Sequence, residues 1–161
     1  MILKWIECIV PFQKRNAFSQ AQAKWGQLKR IDGFIGQIGG WEKTDARKAF
    51  ILAFWTDLAS YQSFMNNEHE RFVQENQQES TYDFISVSLY SNEDQVNVRP
   101  FLERGEMVCY SGEYMDKALK FNSLLAHDSS IYISAVEECN KCKDIIELEK
   151  EWRVTQSQKE G

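Results

Sequence analysis

The sequence predicts an α+β fold containing a ferredoxin-like β-α-β-β-α-β unit over residues 1–90, and three observations predict it. Segments 3–10 and 49–55 are apolar on both alternating faces, as buried central strands are. Segment 82–90 alternates cleanly, with Ile85, Val87 and Leu89 opposite Phe84, Ser86 and Ser88. Between these strands, apolar residues recur at intervals of three and four, the period of a helix that covers a sheet on one side.

In chain order, the first strand (3–10) places Leu3, Trp5 and Ile9 on one face, opposite Ile6, Cys8 and Val10, and Pro11 ends it. The first helix (17–30) carries Phe18, Ala21, Trp25 and Leu28 on one face, and Asp32-Gly33 closes it. The next strand (34–42) holds Gly36, Gly39 and Gly40, a content that implies bending or close approach by another backbone. After the polar turn 43–48 comes strand 49–55, and Thr56 and Asp57 supply helix-start chemistry. The second helix presents Leu58, Tyr61, Met65 and Phe72 inward, with His69 on the same face.

Residues 91–100 are polar and aperiodic and read as a linker. Beyond it, 101–161 predicts a β-α-β-α extension packing on the first unit: strand 106–113, helix 115–126 with Met115, Ala118, Phe121 and Leu125 inward, strand 131–136 and helix 140–152. A shift of 82 residues lays Ile133, Ala135 and Ile146 over Ile51, Ala53 and Phe64, so the extension could be a degenerate repeat. The eight residues after Arg153 read as a frayed tail.

Of the 161 residues 43% are apolar and 13% aromatic, ample for a packed core. The net charge of -5 disfavours a nucleic-acid partner. No apolar run approaches the roughly 20 residues that span a bilayer. Residues 1–10 lack the pattern of a secretory signal, so a cytoplasmic location with reduced thiols at Cys8, Cys109, Cys139 and Cys142 is expected.

Residues 50–72, FILAFWTDLASYQSFMNNEHERF, preceded by 32–41, DGFIGQIGGW, resemble the antibiotic-biosynthesis-monooxygenase superfamily. Lys4-Trp5-Ile6 and Val98-Arg99-Pro100-Phe101-Leu102 resemble the uncharacterised YdbC-like proteins of bacilli. The superfamily resemblance, over about residues 1–90, implies a dimeric α+β barrel, hence a homodimer, around a pocket for a hydrophobic or aromatic molecule. Its members include cofactor-free oxygenases, haem-degrading enzymes and proteins without known activity. The haem-degrading branch needs a tryptophan nine residues after the strand-end tryptophan and a histidine ten beyond it; here those positions hold Phe64 and Gln74, which speaks against haem. No cofactor is expected.

His69 is the foremost catalytic candidate, because a near-neutral imidazole beside Met65 and Phe72 could take a proton from an acidic carbon or phenol. It matches a histidine frequent in this helix of the superfamily, and its other reading is structural, bonded to a backbone carbonyl. Glu7 shares the face of Leu3, Trp5 and Ile9, where it is an acid or base of raised pKa, pairs with a cation such as Arg47, or is simply exposed. Trp41 and Trp55 end neighbouring strands and could wall a substrate pocket with Phe64, while Gln37 and Asn66 could hold an oxyanion; ordinary core packing is the alternative for the aromatics. Cys139 and Cys142 form a lone C-x-x-C, read as plain thiols, and no metal site is expected. The leading function is therefore a cofactor-independent monooxygenase-like activity on an aromatic or polycyclic compound. The alternative is a non-catalytic ligand-binding or stress-related dimer that keeps the fold.

Overall fold

The computed structural model describes residues 1–94, 96–136 and 144–156. Strand β1 (Ile2–Ile9) sends Leu3 and Trp5 into one core and Ile2 and Cys8 to the opposite side. Helix α1 (Arg15–Gln22) tightens into a 3-10 helix over Ala23–Arg30, so the predicted first helix is regular only in its first half. Gly33, at φ +81°, makes the turn into β2 (Phe34–Glu42), and a Cβ there would lie 2.2 Å from that of Ser60. Strand β3 (Asp45–Trp55) follows a tight turn. Asp57 then caps α2 (Leu58–Asn67), its carboxylate accepting the Ser60 N–H at 2.7 Å, as the sequence predicts. The helix predicted to run on is broken at Glu68, whose φ of -124° separates α2 from α3 (His69–Asn76). Tyr61, Phe64 and Phe72 are buried, whereas Leu58 is exposed. Strand β4 (Phe84–Ser91) completes the β-α-β-β-α-β order.

The remainder is α4 (Arg99–Arg104), β5 (Met107–Ser111), β6 (Leu119–Ser123), β7 (Ser130–Ala135), β8 (Asp144–Leu148), a 3-10 turn at Lys150–Trp152 and β9 (Val154–Thr155). Two expected helices are corrected here. The segment 115–126 contains β6 and turns, with Phe121 buried and Leu125 left 84% exposed, and the described part of 140–152 contains β8.

The reason lies in the sheet. Its strands run β2-β3-β1-β4-β6-β7-β5-β8, and β8 pairs back onto β2, which closes an eight-stranded barrel within one chain. The second four strands repeat the order of the first four: β6-β7-β5-β8 corresponds to β2-β3-β1-β4. The repeat lacks the first crossover helix because of stagger. Ser111 at the end of β5 pairs with Tyr132, and Leu119 at the start of β6 pairs with Ile133, so the connection hops over β7 without travelling back along it. In the first unit β1 ends opposite Lys48 and β2 begins opposite Trp55, which demands a return along the whole sheet. The dimeric closure implied by resemblance is thus replaced by β5 to β8 of the same chain.

The barrel interior is filled. Leu3, Ile38, Leu52, Phe54, Phe121, Ile133 and Ile146 meet there, and Trp5 packs against Phe50 and Tyr110 with ring centroids 5.6 and 5.2 Å away. Helix α4 adds Phe101 and Leu102 to this core. Gly40 permits the closure: a Cβ there would lie 1.8 Å from the carbonyl oxygen of Glu147 in β8. Replacing Gly40 by Ala must push β8 off β2 and is expected to cost at least about 1–3 kcal/mol, measured as a lowered urea midpoint. Unchanged stability would mean that β8 does not close the barrel there.

Candidate functional site

A second apolar region lies between the helices and the outer face of the sheet, and it encloses a cavity of about 290 Å³. Its floor follows from strand alternation. Lys4, Ile6 and Cys8 of β1, Ile51, Ala53 and Trp55 of β3, and Gln37 of β2 all point outward from the barrel. Tyr61, Phe64 and Met65 of α2, His69 and Val73 of α3, and Trp25 close it from above. The walls are stiffened by a buried amide relay, in which the Gln78 amide donates to Gln22 Oε1 at 2.8 Å and Trp25 Nε1 donates to Gln78 Oε1 at 2.9 Å.

The structure thus brings together His69, Trp55, Phe64 and Gln37 of the sequence-predicted set, and leaves three out. Trp41 pairs with Ala49 and Trp55 with Phe34, so the two tryptophans stand at opposite ends of an antiparallel ladder, roughly 20 Å apart along it. Trp41 packs instead with Phe18 and Trp152, under the Arg15 guanidinium 4.2 Å from its ring centre. Asn66 is exposed on α2, on the face turned from the sheet. Glu7 points to the barrel side and pairs at 3.2 Å with Lys48, not Arg47. Gln74, at the position where haem ligation would need a histidine, is also exposed. Cys139 and Cys142 lie outside the described residues. Cys109 is disulfide-bonded, so the expectation of reduced thiols fails there.

His69 sits at the first turn of α3 beside the Phe64 ring (5.8 Å, edge-on) and the Trp25 ring (6.2 Å). Among the described residues its imidazole makes no hydrogen bond, so the backbone-anchored reading lacks its partner. Burial, and then the positive charge of Lys4, hold its pKa below the ordinary value, only partly opposed by Glu70. The ring is therefore neutral at pH 7 and can accept a proton. Cys8 faces the same cavity, but burial and the Glu7 charge push its thiol up to about 12, which leaves it unreactive.

Lys4 is the functional candidate that the sequence reading missed. Its side chain is on the outward face with Ile6 and Cys8, only 8% of the residue is exposed, and its Nζ meets Met65 Sδ at 3.6 Å and the Tyr61 ring at 5.4 Å. The signal was present, because strict alternation in β1 puts a lysine on an apolar face of a central strand. Two further donors on residues of the lining, Gln37 Nε2 and Trp55 Nε1, are buried without a partner among the described residues.

Comparison with known proteins agrees with this architecture. The model of a domain of unknown function, DUF4937, matches residues 2–90, more than half of the chain. The chain belongs to this family. It is 36% identical over 109 residues to the uncharacterized protein YdbC of Bacillus subtilis (strain 168), an alignment that covers 66% of this chain and 91% of YdbC. A candidate monooxygenase from Lactobacillus acidophilus NCFM superposes with a TM-score of 0.59 at 10% identity, over 97% of this chain and 96% of that one. A candidate antibiotic biosynthesis monooxygenase from Deinococcus radiodurans superposes at 0.51 with 11% identity, over 60% of this chain and 97% of its own. At these identities the two structures show the fold, and the first shows it for the whole DUF4937 chain, second set of strands included. None of the described helices is long and apolar enough to cross a membrane.

Burial lowers the Lys4 ammonium from 10.5 to about 8, so the folded protein carries a desolvation penalty below that pH. Lys4→Met is accordingly expected to stabilise the protein at pH 7 by about 1–3 kcal/mol. Between pH 8 and 10.5 the folded chain has released a proton that the unfolded chain still holds, so the wild type gains stability and the advantage of the variant disappears. Urea denaturation of both proteins at pH 7 and pH 10 measures this, and a variant less stable than the wild type at pH 7 would contradict it.

Proposed function

We propose that the helix–sheet cavity is the active site of a cofactor-independent, monooxygenase-like enzyme acting on a flat aromatic compound. The observation that carries this reading is the placement of His69, neutral and without a hydrogen-bond partner among the described residues, in one apolar cavity with Trp55 and Phe64. Such a cavity suits an anthrone-like substrate, whose ring methylene becomes electron-rich once deprotonated.

In the reaction, His69 takes one methylene proton, and the carbanion gives its electron pair to dioxygen, forming a C–O bond. The imidazolium returns its proton to the peroxide. The hydroperoxide then loses water, which carries off the second methylene hydrogen and one oxygen atom, and the other oxygen remains as a carbonyl. The carbon is oxidised and dioxygen is its oxidant, so the atoms and electrons balance with His69 unchanged.

A small aromatic molecule is thus the partner, and a cytoplasmic site of action belongs to the same reading. So does a homodimer. Its support is β4, where Phe84, Ile85 and Val87 are 56%, 43% and 46% exposed along an edge that β6 pairs only at Tyr90 and Ser91. Light scattering is expected to return twice the chain mass, and a monomer at all concentrations would remove the dimer.

His69→Ala is expected to lower anthrone oxidation by roughly 10²-fold or more. The melting temperature should shift little, since no hydrogen bond of the imidazole is lost. Equal turnover in the variant, or a wild type inert toward every aromatic substrate tried, would overturn the oxygenase reading.

A further inference from the structure

Three side chains of the cavity lining that carry nitrogen donors, Lys4, Gln37 and Trp55, flank Ala53 on the floor. Lys4 and Gln37 pair with Ala53 from opposite sides, β1 and β2, in one cross-strand row, and Trp55 is the next outward residue along β3. Neighbours in such a row have Cβ atoms roughly 5 Å apart, so the three side chains start from one small patch of floor. Among the described residues, Gln37 Nε2 and Trp55 Nε1 are buried without an acceptor, and Lys4 Nζ has only a thioether and a ring face. Glu79 is the one carboxylate in the described lining; it is exposed at the margin and forms no ion pair with Lys4. A buried ammonium and two buried N–H groups, left without acceptors in an apolar chamber, are a strongly unfavourable arrangement for an empty cavity. They are a favourable one for a ligand that brings the missing negative oxygen.

We infer that the ligand of this cavity is an aromatic compound bearing an oxyanion, a carboxylate or ionised hydroxyl on a flat ring, with the oxygen held by Lys4, Gln37 and Trp55 and the ring among Phe64, Met65 and Trp25. This deepens the proposed function, because it specifies the charge of the substrate that His69 faces, and it rests on the same cavity being the site. It does not depend on turnover. Lys4 binds and orients, and no covalent step is assigned to it.

The test is binding of 2-naphthoate and of its neutral counterpart 2-naphthylmethanol to the full chain, followed by tryptophan fluorescence or calorimetry at pH 7. The wild type is expected to bind 2-naphthoate roughly tenfold or more tightly than 2-naphthylmethanol, the factor a charge-assisted hydrogen bond supplies. Lys4→Met should erase that preference and keep the affinity for 2-naphthylmethanol. Trp55→Phe, which keeps a ring and removes the N–H, should reduce the preference several-fold, and it carries the test should Lys4→Met fail to fold. A wild type that binds both probes equally, that binds neither, or whose preference survives both Lys4→Met and Trp55→Phe would overturn the inference. A preference that depends on Lys4 in a protein inert toward anthrones would sink the oxygenase reading alone. His69-dependent oxidation without any preference for the naphthoate would sink this inference alone.

Discussion

Strand β3 carries large apolar side chains on both faces, and both faces have to be kept from water. Phe50, Leu52 and Phe54 point one way, and Ala49, Ile51, Ala53 and Trp55 the other, all of them buried. Helices on one side of a four-stranded sheet cover only half of this surface. The other half is covered by the second set of strands, which curls the sheet into a closed barrel around Trp5, Phe50 and Tyr110. Closure also removes most of the free edge that β2 would otherwise present.

Two-sided burial separates the molecule into a filled interior and an incompletely filled exterior layer. Inside the barrel, side chains from both halves pack into one core. Outside, the helices pack on the sheet through Trp55, Phe64 and Phe72, and the cavity lies between helices and strands beside that cluster. Its electrostatics follow from its dryness: the same burial that makes the Lys4 ammonium costly also sharpens its effect on His69, which stays neutral beside it. Stability is given up at Lys4 while the surrounding apolar wall is well packed, a pattern common where a site is built for a ligand.

The second half shows how a repeat can keep its strand order and lose a helix. What the barrel needs from it is four strands in the right sequence, and the strong stagger of β5 against β6 makes a short loop sufficient between them. Every residue that lines the helix–sheet cavity lies between Lys4 and Val87, within the first set of strands and helices, and the second set contributes packing on the opposite face of that sheet.

Much of this was legible in the residues themselves. Alternation fixes β1, β3 and β4 and their faces, Asp57 announces α2, and the glycines of β2 signal the close approach that Gly40 makes to β8. The helical phase of His69 and the outward phase of Trp55 put both in the lining of the helix–sheet cavity, and a lysine among Ile2, Ile6 and Cys8 was visible to the same reasoning. These features are local, and a period of two or of 3.6 residues carries them. Three things were not local. Segments 119–123 and 144–148 are short and amphipathic enough to fit a helix or a strand, and only the vacancy in the ring between β4 and β2 makes them strands. The exclusion of Trp41 follows from antiparallel pairing, which sends the ends of adjacent strands to opposite ends of the sheet. The placing of Lys4 and Gln37 on either side of Ala53, with Trp55 next along β3, depends on the register between three strands, and register is set by how the whole sheet buries its two faces.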